Sequence, residues 1–132
     1  MKLEPIVKVI AQAIFEKKGK DVKALNLINI TTVTDYFIIC TAESDTQAKA
    51  IADHIEHTLI EHGVKVWHKE GYQGLTWVLL DYVDVVIHIF RNEYREFYNL
   101  EKLWGDAPVI ELKDEPEVKK PVRKRKVATA KE

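Results

Sequence analysis

The stretch GLTWVLLDYVDVVIHIF, residues 74–90, decides the fold. It holds two runs rich in Val, Ile, Leu and aromatic residues, and Asp81-Tyr82-Val83-Asp84 breaks between them. β-branched and aromatic side chains suit a pleated, buried surface, and a short polar break between two such runs predicts a hairpin inside a sheet. The strands are expected at about Leu75 to Asp81 and Asp84 to Phe90. Alternation then places Trp77, Leu79 and Asp81 on one face of the first strand and Val78, Leu80 and Tyr82 on the other. If helices cover only one face, the other presents an aromatic, aliphatics and an acid, the composition of a protein-binding patch. A sheet covered on both sides, with Trp77 as core, is the plainer alternative.

Working outward, Asn92 to Trp104 reads as a helix. Its Tyr94, Phe97, Tyr98, Leu100, Leu103 and Trp104 form an apolar arc wider than one packing stripe requires. Upstream, Glu70 to Gly74 reads as a loop and Val64 to His68 as a strand. Ser44-Asp45-Thr46-Gln47 fits a capping box, in which the serine oxygen takes an orphan helix N–H and the glutamine reaches back to the cap. Ala48, Ile51, Ala52, Ile55 and Leu59 follow at helical spacing, and Gly63 stands where a left-handed C-terminal glycine belongs. Asp21 to Ile30 and Tyr36 to Thr41 read as strands. At the start, Leu3, Ile6, Ile10, Ala13 and Ile14 make one stripe of a helix ending near Gly19, with Pro5 in the first turn. The order α-β-β-α-β-β-β-α predicts an α/β (α+β) domain, a mixed five-stranded sheet with helices packed on it. Residues 1–107 are expected to form this domain. Periodicity stops after Ala107-Pro108, so 108–132 is expected to be a charged, disordered tail.

Composition removes several function classes. At 132 residues and 46% hydrophobic, the chain can bury a core without disulfides or metal. No apolar run approaches the roughly 20 residues that cross a bilayer, and the start lacks the apolar region and cleavage site of a secretory signal. A cytoplasmic protein with no membrane contact is expected. Cys40, the one cysteine, lies in an apolar run and reads as a buried thiol. The formal net charge of −1 hides a division, since Lys113 onward carries eight basic and four acidic residues and the first 112 carry 12 basic and 17 acidic. An acidic body does not make a general nucleic-acid footprint and fits a basic partner protein instead.

His54, His57 and Glu61 share the polar side of their helix without a fourth ligand, so a solvated surface is read there and no metal site. His88 reads as a hydrogen-bonded sheet residue. No nucleophile has a recognisable partner, and no Walker or dinucleotide glycine pattern occurs. No cofactor is expected.

Three blocks, TDYFIICTAESDTQAKAIADHI (34–55), WVLLDYVDVVIHIF (77–90) and REFYNLEKLW (95–104), resemble in wording, spacing and order the ribosomal silencing factor family, also called RsfS or Iojap. The resemblance spans roughly Pro5 to Asp106. It implies a nucleotidyltransferase-like fold and a non-enzymatic role. Members of the family bind the L-fourteen protein of the large ribosomal subunit, exclude the small subunit sterically, and so lower translation when nutrients are short. Positions matching family blocks are Asp35 with Phe37, Glu70-Gly71, Trp77 to Tyr82, Asp84, and Arg95 with Tyr98. The partner-binding residues so implied are Trp77, Leu79, Leu80, Asp81, Tyr82, Glu70, Arg95 and Tyr98. The family usually has glycine where this chain has Val83. The resemblance also allows a homodimer off the ribosome.

Two other classes stand beside this one. A nucleotidyltransferase-like enzyme would set Asp81 and Asp84, with Asp35 or Glu70, around magnesium. That chemistry needs a Gly-Ser turn and alternating carboxylates on the next strand, whereas Glu43 precedes Ser44 and Val64 to His68 carries no acid. An RNA-binding ribosome assembly factor would contact ribosomal RNA through the basic tail, Pro121 to Lys126.

Overall fold

The computed structural model describes residues 5–114. The elements in chain order are α1 (Pro5–Glu16), β1 (Lys20–Asn26), β2 (Tyr36–Ala42), α2 (Asp45–Glu61), β3 (His68–Glu70), β4 (Trp77–Asp81), β5 (Val85–Arg91), α3 (Asn92–Tyr98), α4 (Leu100–Leu103) and β6 (Val109–Glu111). One mixed sheet runs β3-β4-β5-β2-β1-β6. β2 and β5 pair in parallel at its centre, from Tyr36 opposite Val85 to Ala42 opposite Arg91. Every other pairing is antiparallel.

The expected α+β class and hairpin are present. The serine half of the capping box forms as expected, Ser44 Oγ accepting from the Gln47 N–H at 3.0 Å, whereas Gln47 Oε1 reaches one residue past the cap and accepts from the Glu43 N–H at 2.7 Å. Gln47 Nε2 also donates to the Lys17 and Lys18 carbonyls at 3.1 and 2.8 Å, tying the end of α1 to the start of α2. Gly63 has φ +79°, the left-handed conformation expected of it.

Four expectations need correction. The sheet has six strands instead of five. The sixth, β6, lies inside the segment expected to be a tail, so ordered chain continues past residue 107; three residues are too few to show a period. The remainder of that expectation, 115–132, and Leu3 of the first helical stripe lie outside the described residues. The strand expected over Val64 to His68 falls at His68–Glu70. β1 stops at Asn26, whose Oδ1 accepts the Ile28 N–H at 3.0 Å. This local side-chain bond turns the chain and leaves Ile28 and Ile30 exposed. The single helix over Asn92 to Trp104 is two, broken at Asn99 (φ +44°), which ends α3 and whose side chain accepts the Lys102 N–H at the start of α4.

The two faces of the sheet are covered unequally. Val7, Ile10 and Ile14 of α1 and Ile51, Ile55 and Leu59 of α2 pack on Ile38, Cys40, Val78, Leu80, Ile87 and Ile89. On the other face a smaller cluster holds Leu25, Leu27, Ile39 and Phe90 with Leu100 of α4, and Phe37, Trp77 and Trp104 are only partly buried against it. Among the described residues no helix is long and apolar enough to cross a membrane. Cys40 is buried, and burial pushes its thiol up to about 12.

Candidate protein interface

The open part of the second face is set by strand register. Asp81 on β4 stands opposite His68 of β3 and Val86 of β5. Leu79 stands opposite Glu70 and His88, and Trp77 opposite Phe90. Directly opposed residues share a face, so Trp77, Leu79 and Asp81 form one row with these neighbours. β4 alternates in burial, with Trp77, Leu79 and Asp81 half-buried and Val78 and Leu80 buried. The expected alternation holds, and Trp77 lies between the two readings offered for it, packed on one side and open on the other.

Leu80 and Tyr82 are corrected. Leu80 is fully buried and Tyr82 is 8% exposed, both within the cluster beneath α1 and α2. The reason is geometric: a period of two cannot present the four consecutive residues Leu79 to Tyr82 to one partner. Burial pushes the Tyr82 phenol up to about 12. Its hydroxyl has no hydrogen-bond partner among the described residues.

Trp77 is held on three sides. Its ring stacks on Phe90 (centroids 5.0 Å, 29° between planes) and lies 4.7 Å from the Tyr98 ring of α3. Its Nε1–H donates to His88 Nδ1 at 3.0 Å, so His88 is hydrogen-bonded within the sheet as expected. Gly71 fixes where β4 begins: at φ +91°, a Cβ there would come within 2.0 Å of the Trp77 carbonyl oxygen. Only glycine allows that approach.

The acidic groups have separate duties. Asp81 Oδ1 accepts the Val83 N–H at 2.8 Å and closes the hairpin turn, the local role typical of a turn aspartate. Val83, where the resembling family usually has glycine, adopts φ +74°; a β-branched residue there is strained. Glu70 is exposed and pairs with His68 at 2.6 Å. Asp35 and Asp84 are exposed, linked through backbone by the Asp35 N–H to Asp84 carbonyl bond at 2.9 Å.

Arg95 faces inward. It donates to Thr41 Oγ1 at 2.6 Å and to Glu101 Oε2 at 2.9 Å, clamping α3 and α4 to the sheet. Burial raises the Glu101 carboxyl, but the Arg95 hydrogen bond and charge outweigh it and the net shift is downward. Tyr98 is 41% exposed at the rim, next to the far more exposed Phe97 and Leu103. Trp67, exposed beside His68, is a rim aromatic that the sequence reading missed by placing it inside a strand.

A phosphate-binding reading of α2 meets a filled helix start. Ser44 Oγ takes one of its orphan N–H groups, and Asp45 in the first turn, paired with Arg91, puts a carboxylate where an anion would sit. Among the described residues no group of three His, Cys, Asp or Glu is placed to hold a metal ion.

Comparison with known proteins agrees with the resemblance. The family model described as "Ribosomal silencing factor during starvation" matches residues 1–132. Ribosomal silencing factor RsfS of Bacillus subtilis is 45% identical over 112 residues, covering 85% of this chain and 95% of that protein. The chloroplastic Iojap protein of Zea mays is 38% identical over 103 residues, covering 78% of this chain and 45% of that protein. Crystal structures of similar proteins come from Chromobacterium violaceum (TM-score 0.76, 35% identity, 80% of this chain and 88% of that one) and Bacillus halodurans (0.72, 39%, 81% and 97%).

Proposed function

The chain belongs to the ribosomal silencing factor family, and from that premise we propose that it docks on the L-fourteen protein of the large ribosomal subunit and keeps the small subunit from joining. Translation then falls when nutrients are limiting, and no bond is made or broken. The observation that carries this reading is the half-covered face of the sheet, where Trp77 and Leu79 lie part-open beside Asp81. An aromatic anchor in an apolar patch with a charged margin is the arrangement by which a few residues supply most of an interface's affinity. An excess of five acidic groups in the first 112 residues favours a basic partner.

Within the proposed interface Trp77, Leu79 and Asp81 make the central contacts, with Glu70 and Tyr98 at its margin. Arg95 supports Tyr98 from behind by holding α3 in place. The stretch Arg123 to Lys126 adds contacts to ribosomal RNA phosphates that weaken as salt rises. Off the ribosome, exposed Phe97 and Leu103 give a second copy of the chain an apolar surface to pair with. The site of action is the cytoplasm.

Sucrose-gradient sedimentation tests the proposal. The protein should travel with free large subunits and be absent from joined ribosomes. Equal recovery with small subunits or with assembled ribosomes would overturn it.

A further inference from the structure

His88 carries a buried polar atom without a partner, and such atoms call for a reason. The residue is 4% exposed. It lies on β5 between Val86 and Phe90, with the Phe37 ring of β2 edge-on at 4.5 Å and Trp77 of β4 alongside. Burial lowers its pKa to about 3, so the ring is neutral. Because the Trp77 indole N–H donates to Nδ1, the single ring proton sits on Nε2. Nε2 has no hydrogen-bond partner among the described residues. An unpaired buried donor destabilises the fold, and an aliphatic side chain like those at 86, 87 and 89 would remove that cost.

The bond from Trp77 is what His88 provides in exchange. Contact with Phe90 and Tyr98 holds the indole near its place, but ring stacking tolerates sliding and rotation. One directed hydrogen bond selects which edge of the indole turns inward and which remains at the surface. An anchor fixed before contact loses less freedom on binding.

We propose that His88 is a positioning residue for partner recognition, holding the Trp77 indole through Nδ1 in the one orientation that a docked protein partner meets. This inference rests on the reading of the Trp77 face as the ribosome-binding surface.

Nuclear magnetic resonance of the free protein and sedimentation with purified large ribosomal subunits together test it. In the wild type, long-range 15N spectra should show His88 with its proton on Nε2. The Trp77 indole proton, assigned by its loss in Trp77→Phe, should lie downfield and exchange slowly. His88→Leu should move that resonance upfield, leave the melting temperature unchanged or higher, and weaken large-subunit binding about tenfold. His88→Asn, which returns an acceptor close to the position of Nδ1, should recover part of both the resonance shift and the affinity. Wild-type affinity in His88→Leu, an indole resonance that does not move, or a His88→Leu protein that fails to fold would each overturn the assignment, the last by showing an ordinary structural role. Trp77→Ala separates the premise from the inference. If it binds large subunits like the wild type, the docking-face reading itself fails; if it loses binding while His88→Leu keeps it, only the positioning role fails.

Discussion

The two faces of this sheet are made by the same strands and are closed to different degrees. Under α1 and α2 the contacts are almost wholly aliphatic: Ile38, Val78, Leu80, Ile87 and Ile89 meet Ile10, Ile14, Ile51 and Ile55. Under α3 and α4 the aliphatic Leu25, Leu27, Ile39 and Leu100 are joined by aromatic and polar side chains: Phe37, Trp77, His88 and Phe90 on the strands, Tyr98 of α3 and Trp104 just after α4. Aliphatic side chains fill space densely and carry no directional bonds, which suits a face closed permanently. Flat rings with polar edges suit a surface that must be ordered while part of it stays open. The composition of each face thus fits the proposal that a partner docks on the second one.

The sharpest way to test this contrast is to damage each face and ask what is lost. Leu80→Ala, on the closed face, should destabilise the domain by about 2–5 kcal/mol, seen as a lower midpoint in urea, with binding lost only as the protein unfolds. Asp81→Lys, one residue along the same strand, should instead leave most of the stability and cost roughly 2 kcal/mol or more of binding to large subunits, since it sets like charge against a basic partner. Asp81→Asn, which keeps an acceptor for the Val83 N–H, controls for the turn. If the two substitutions lowered stability alike, the functional division between the faces would be wrong.

Acid should act through the open face. The buried, neutral His88, with its pKa lowered from 6.5 to about 3, imposes no titration cost on the fold above pH 6.5. Below that the unfolded chain takes up a proton that the folded one refuses. Stability should therefore fall as pH drops from 6.5 toward 3, by up to about 1.4 kcal/mol per pH unit from this group. Glu101, whose carboxyl is lowered by Arg95, adds a loss in the same direction in the carboxylate range. Chemical denaturation across pH should show a shallower slope between pH 6 and 5 in His88→Leu than in the wild type. The smallest effect belongs to the turn that joins the faces: Val83→Gly should relieve the strain of φ +74° and raise stability by no more than about 1 kcal/mol, measured as melting temperature. No gain there would mean that the turn is not a point of strain.

Much of this contrast was legible in the sequence, and the failures have physical causes. The hairpin, the capping box at Ser44 and the helical stripe from Ala48 to Leu59 carry period and punctuation within a few residues, so local reasoning reaches them. Leu80 and Tyr82 entered the expected site because family blocks match as continuous text, whereas a strand exposes every second residue. β6 was invisible because Val109–Glu111 is strand only by virtue of Leu25 and its neighbours, far away in sequence. The break at Asn99 passed unnoticed because the apolar arc on both sides of it continues at helical spacing. The acceptor for the Trp77 indole could be anticipated only as a general need of His88, since the partner is chosen by register across two strands.

The parallel pairing of β2 with β5 sets a limit on how the protein comes into being. Residue 36 meets residue 85, and residue 42 meets residue 91, so the middle of the sheet closes only after the chain has been made through Arg91. Contacts this distant in sequence slow folding. Until they form, β2 presents the apolar Ile38, Ile39 and Cys40 along an unpaired edge, the kind of surface on which incomplete chains associate. A synthesising cell therefore holds each new molecule in a vulnerable form until Arg91 has been added, and the Trp77 row has no β5 to lie against before the same moment.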